Sequence, residues 1–174
     1  EVQARHGVFP VAEAPGCPLP EPSERWPLGL AVIAYGSFGA RELGYDSDLD
    51  IVFLFEHCAE ASDGARPLSP ERYYARLAQR VLSFLTVMTP SGRLYTVDTR
   101  LRPNGRAGSL VSSISAFREY QINEAWTWEL QALTRARYIA GSQAVAVQFN
   151  RIRQEVLCLE RDSRALAEEL LEMR

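Results

Sequence analysis

Asp48 and Asp50 flank a single leucine at the entrance to the apolar run Ile51-Val52-Phe53-Leu54-Phe55. On an extended strand, residues i and i+2 project to the same face. Two carboxylates held that close repel each other unless a cation sits between them. Oxygen-only donors select a hard ion, and magnesium prefers a few carboxylates plus phosphate oxygens to an all-protein cage. A third acid, Asp98, lies in residues 93–101, whose alternation reads as a strand with Asp98, Arg100 and Arg102 on one side. If that strand lies beside the first, three carboxylates surround one spot. Two Mg2+ ions about 3.5 to 4 Å apart could then stabilise both the attacking and the leaving oxygen of an in-line displacement.

The Gly36-Ser37 turn supplies the complementary part. Glycine lets a phosphate approach the backbone, and main-chain N–H groups ahead of a short helix form an anion cradle to which the Ser37 hydroxyl adds a donor. Arg100 and Arg102 offer the bidentate forks that suit a triphosphate or pyrophosphate. Each element alone is weak: an Asp-x-Asp after a loop is more often a cap or a solvated edge, and alternating arginines can simply line an exposed strand. Their order along the chain carries the reading.

That order requires elements to hold it. Residues 30–35 form a short apolar strand ending at Gly36, residues 38–43 a brief helical turn, and residues 49–56 a second strand. Residues 56–70 read as a loop through Ser62-Asp63-Gly64. Ser69-Pro70 then opens a helix with Tyr73, Tyr74, Leu77, Val81, Leu82 and Leu85 at helical spacing, and with Arg72, Arg76 and Arg80 on its solvated or phosphate-facing side. Pro90-Ser91-Gly92 stops this helix and leads into 93–101. Further helices are expected from Ser115 to Tyr120, over 124–138 with Trp126 and Trp128 as core residues and Glu124 or Glu129 paired with Arg135 or Arg137, and over 143–159 and 162–173. The expected architecture is α+β, a small mixed sheet with flanking helices: an irregular Pro- and Gly-rich lead-in over 1–28, a core over 29–112, and a C-terminal helical extension over 113–174.

Bulk properties narrow the classes. With 174 residues, 47% of them hydrophobic, the chain is long enough for a core. A net charge of −3 advertises no sequence-independent grip on nucleic acid. All nineteen basic residues are arginine. Cys17, Cys58 and Cys158 are odd in number and lack a CxxC pair, as expected of reduced thiols in a cytoplasmic protein. No apolar run reaches the ~18 residues of a membrane span. The chain opens without methionine and stops within an expected helix, so it reads as a piece of something longer. No role is assigned to His6 or His57.

The ordered pattern resembles the nucleotidyltransferase superfamily that includes DNA polymerase beta. In finer detail the chain is similar to the glutamine synthetase adenylyltransferase family, bifunctional enzymes with two related nucleotidyltransferase halves. Four stretches carry this resemblance: ELGYDSDLDIVFLFE (42–56), RYYARLAQRVL (72–82), GRLYTVDTRLRPNGRAGSLV (92–111) and FREYQINEAWTWELQALTRAR (117–137). The resemblance implies a polymerase-beta-like fold, metal-binding acids at Asp48, Asp50 and Asp98, and a phosphate-binding turn at Gly36 and Ser37. At Ser37 the sequence departs from the family, which typically has lysine there, so charge at that site must come from arginine and metal.

The wording of residues 123–129 is similar to the half that attaches AMP. The implied reaction is transfer of AMP from ATP to a tyrosine hydroxyl of glutamine synthetase, releasing pyrophosphate. The rivals are phosphorolytic removal of AMP by the sister half, and a nucleotide-binding regulatory module without turnover. Resemblance also implies control by the PII signalling protein in the full-length enzyme.

Overall fold

The computed structural model describes residues 2–7, 29–57, 60–90, 92–93 and 95–160, apart from the Arg106 side chain. The rest of the Pro-rich lead-in, Cys17, Cys58 and the helix expected over 162–173 lie outside the described residues. The lead-in opens on a short helix, α1 (Val2–His6), rather than an irregular stretch.

Strand β2 (Leu49–Phe55) is the centre of the molecule. Its apolar side chains alternate between two faces, and both are covered, which is why the sequence runs continuously hydrophobic there. Ile51, Phe53 and Phe55 pack with Tyr73, Tyr74 and Ala78 of α3 (Pro70–Leu85). Val52 and Leu54 face the opposite layer, with Phe117 of α4 (Ile114–Asn123), Leu130 and Leu133 of α5 (Thr127–Thr134), and Val145, Phe149 and Ile152 of α6 (Gln143–Leu157). The result is a small mixed sheet between helical layers. The helix expected from Ser69-Pro70 is present, with proline in its first turn where no intrahelical donor is needed.

Strand β1 (Leu30–Ala34) pairs antiparallel with β2, linked through the short helix α2 (Gly36–Ala40). The other edge of β2 is shared by two short parallel strands: β5 (Val97–Asp98) against its start and β6 (Val111–Ser113) against its end. The sheet is completed by β7 (Arg137–Gly141), antiparallel to β1.

Three local expectations are corrected. Residues 93–101 do not form one strand: Gly92–Arg93 (β4) folds back on Met88–Thr89 (β3) as a hairpin, and β5 ends at Asp98, whose carboxylate accepts the Arg100 N–H and turns the chain. The helix expected over 124–138 is shorter, because residues 137–141 pair with the exposed edge of β1; the stretch beyond 112 thus contributes a strand to the sheet as well as helices to the core. Helix α4 is capped by Ser113, whose hydroxyl accepts from the Ala116 N–H, two residues ahead of the expected Ser115.

Candidate active site

The site forms where β1 ends and β2 begins. Tyr35 N–H donates to the Asp50 carbonyl at 2.9 Å, closing the strand pair, and the chain then enters α2 through Gly36 at φ +52°. In that left-handed region only glycine is free of strain. Glycine is needed there for a second reason: a Cβ on Gly36 would lie 2.2 Å from Asp50 Oδ2. The close approach expected of a phosphate is thus made by the carboxylate of Asp50 itself, which is seated beside the turn. Gly36, Ser37 and Phe38 begin α2, where N–H groups have no intrahelical carbonyl to serve.

Asp50 and Asp98 are direct register partners in the parallel β2–β5 pair, one position beyond Leu49 and Val97, and Leu49 N–H donates to the Thr96 carbonyl at 2.8 Å. Adjacent strands lie about 4.8 Å apart, so the two carboxylates leave neighbouring backbones on a common face. Asp48 is exposed, two residues before Asp50 on the same strand entry. Burial pushes the Asp50 carboxyl above its ordinary range; the negative charges of Asp98 and then Asp48 push it further, and Arg100 opposes them. The negative charge that raises Asp50's cost of ionisation would be relieved by a nearby cation.

At present Arg100 supplies that charge. Its Nε donates to Asp98 Oδ2 at 2.6 Å, its backbone N–H donates to Oδ1 at 2.8 Å, and a second guanidinium nitrogen is ion-paired with the same carboxylate. In these rotamers no three acid, histidine or cysteine side chains among the described residues close on one point. The donor set fits a hard divalent cation in chemistry, as oxygen ligands only, and in placement, with Asp50 and Asp98 on paired strands. Arg102 is directed elsewhere, since the strand ends at Asp98. It is half-buried and donates to the Thr99 carbonyl at 2.6 Å and hydroxyl at 2.9 Å, bracing the loop that follows.

Several supports were not foreseen from sequence. Arg137 on β7 donates to the Gly39 carbonyl at 3.0 Å and the Phe38 carbonyl at 3.1 Å, fixing the C-terminal end of α2 from the neighbouring strand. Arg135 pairs with Glu42 at 3.3 Å. Glu129 pairs with neither arginine: it is buried, accepts from the Tyr120 hydroxyl at 3.0 Å to each oxygen, and accepts from the Trp126 N–H at 2.9 Å. Trp126 and Trp128, expected in the core, are 69% and 43% exposed. The acid three residues into a helix and the arginines just past its end were the available signals, but they name no partner.

A sequence profile for glutamate-ammonia ligase adenylyltransferase matches residues 10–152. A protein of Methylococcus capsulatus, named bifunctional glutamine synthetase adenylyltransferase/adenylyl-removing enzyme, is 48% identical over 173 residues, covering 98% of this chain. Proteins of the same name from Stenotrophomonas maltophilia and Xanthomonas axonopodis are 53% and 51% identical over 147 residues, or 83% of the chain. The chain spans 17% of the length of the first of these relatives and 16% of the other two.

Proposed function

The chain belongs to the glutamate-ammonia ligase adenylyltransferase family, and on that premise we propose that it transfers AMP from ATP to a tyrosine hydroxyl of glutamine synthetase, releasing pyrophosphate, on a polymerase-beta-like nucleotidyltransferase fold. The observation that carries this reading is the register pairing of Asp50 with Asp98 beside the Gly36 turn.

In this reading Asp48 and Asp50 would hold a magnesium ion on the nucleotide side, and Asp50 and Asp98 would hold a second. Bound magnesium would supply charge neutralisation at the triphosphate and a lowered pKa at the acceptor hydroxyl. The residues do the rest. Asp98 lies closest to the tyrosine proton and accepts it as the tyrosine oxygen bonds to the α-phosphorus and the α–β phosphoanhydride bond breaks. The first-turn N–H groups of α2 and the Ser37 hydroxyl orient the departing pyrophosphate. Arg100, which pairs with Asp98 through Nε and a second guanidinium nitrogen, carries the fork that would meet the polyphosphate. Arg102 contributes by bracing the loop and not by touching substrate.

Attachment is preferred to removal because residues 123–129 resemble the attaching half. The relatives' names hold both activities, so the assay must separate them. Incubation with ATP labelled at the α-phosphate, magnesium and unmodified glutamine synthetase is expected to move label onto the protein and release pyrophosphate. Orthophosphate-dependent release of ADP from modified glutamine synthetase would instead assign the removing half, and nucleotide binding without either product would indicate a regulatory module. Control by PII in the full-length protein and a cytoplasmic location belong to the same reading; no helix among the described residues is long and apolar enough to cross a membrane.

A further inference from the structure

We infer that Trp126 is the platform on which the adenine of ATP stacks, a role that rests on the nucleotidyl-transfer reading given above. Asp50 shares its side of β2 with Val52 and Leu54, two and four residues along, and that side is covered by α4, α5 and α6 rather than by α3. Tyr35, bonded to Asp50 across the strand pair, buries its ring with Leu130 and Leu133 of α5 in the same layer. Helix α5 therefore lies over the face of the sheet that carries the Asp50 carboxylate.

Both ends of α5 are held in place. Just past its C-terminal end, Arg135 pairs with Glu42 and Arg137 donates to the Gly39 and Phe38 carbonyls of α2. At the other end, Ala125 N–H donates to the Tyr120 carbonyl at 2.9 Å, which ties the turn to α4. Tyr120 and Glu124 line one cleft with Pro103, Asn104 and Gly108 of the loop that follows Asp98. The helix thus spans from the Asp98 edge of the sheet to the Gly36 turn. Glu129 fixes its first turn, accepting from the Trp126 N–H at 2.9 Å and from the Tyr120 hydroxyl at 3.0 Å. The same carboxylate is close to the Tyr35 hydroxyl, whose pKa is pushed up by burial and further by the Glu129 charge.

Residues three and four apart share a side of a helix, so Trp126 continues the stripe formed by Glu129, Leu130 and Leu133. Those three are buried, whereas Trp126 is 69% exposed. The inward-facing stripe therefore runs past the edge of the core and there presents an indole from an anchored backbone. Trp128 lies off this stripe. The ligand follows from what has to fit. With the triphosphate held at the Gly36 turn and the acids, the base must lie within one nucleotide's reach, beside the helix that covers that face. A broad, rigid π-face suits a flat heterocycle, and stacking needs no hydrogen bond to the edge of the base.

Parallel titrations of the full chain with ATP and with inorganic tripolyphosphate, each with magnesium and followed by calorimetry and tryptophan emission, test this. Trp126→Ala is expected to weaken ATP binding about tenfold and to leave tripolyphosphate binding unchanged. Trp126→Phe should restore most of the affinity, and Trp128→Ala should match the parent. ATP, but not tripolyphosphate, should lower the parent's emission, and Trp126→Phe should lose that change while still binding. The ring is exposed, so Trp126→Ala should melt with the parent. Parental ATP affinity in Trp126→Ala, equal losses for both ligands, or a loss that follows Trp128→Ala instead would overturn the inference and leave nucleotide binding at the carboxylates standing. So would a raised KM for glutamine synthetase with parental ATP affinity, which would make Trp126 a contact for the acceptor protein. A parent that binds neither ligand would remove the nucleotidyl-transfer reading and the stacking role together.

Discussion

Replacing Gly36 with alanine should separate catalysis from stability. The new methyl group meets two obstacles: φ of +52° and Asp50 Oδ2 at 2.2 Å. The first costs about 1 to 2 kcal/mol in an L-residue. The second is inexpensive for folding, because the obstructing atom is the tip of a side chain that can rotate, but rotation moves that carboxylate away from Asp98. A stability loss of about 1 to 2 kcal/mol lowers Tm by about 2 to 8 °C in a chain of this length. Misplacing a catalytic group by about 1 Å costs on the order of 100-fold in rate. Thermal unfolding and label transfer to glutamine synthetase, measured on the same preparations, should therefore show a modest Tm shift beside a roughly 100-fold loss of turnover. A double-mutant cycle isolates the contact: in an Asp50→Ala background the methyl group no longer meets the carboxylate, and the remaining Tm cost should be the backbone term alone. Gly36→Ala with parental turnover would refute the close packing of the turn on Asp50.

Other variants probe the supports. Because the Asp50 carboxyl is raised, the folded chain holds that proton more tightly than the unfolded chain, and this contribution to stability is lost as pH rises through the raised pKa. In EDTA at neutral pH, Asp50→Asn should therefore melt above the parent, with the gap closing below the ordinary carboxylate range; equal melting at neutral pH would dismiss the repulsion. Magnesium should raise the parent's Tm and leave that of Asp50→Asn nearly unmoved. Glu129→Gln, which weakens acceptors for the Tyr120 hydroxyl and the Trp126 N–H, should cost about 1 to 3 kcal/mol in chemical denaturation; a neutral result would mean that water serves those donors. Arg137→Ala, which frees the α2 carbonyls, should reduce kcat more than it lowers Tm, and the reverse would make it scaffold only.

What could be read in the sequence was what local physics decides. The doubly buried β2 announced itself as an unbroken apolar run, and α3 by its spacing and its Ser69-Pro70 start. The partnership of Asp98 with Asp50 was expected from strand order and is seen in register. What failed depended on partners distant in sequence. Residues 137–141 include the strand-favouring Tyr138 and Ile139 but follow directly on a helical pattern, and pairing with β1 decides them. Residues 93–101 alternate convincingly, yet the hairpin at one end and the Asp98 turn at the other leave only Val97–Asp98 in the sheet. Trp126 and Trp128 were expected inside because they are large and apolar, but α5 buries its Leu130 and Leu133 face instead. Arg102 shares sequence parity with Asp98, but parity holds only while the strand lasts.

Titration of Mn2+ into the chain, followed by electron paramagnetic resonance in the presence of a non-hydrolysable ATP analogue, tests the shared carboxylate site most directly. Saturable binding is expected in the parent, weakened at least tenfold by either Asp50→Asn or Asp98→Asn, with a non-additive double variant because the two residues serve a common ion. Unaltered Mn2+ affinity in Asp98→Asn would contradict it.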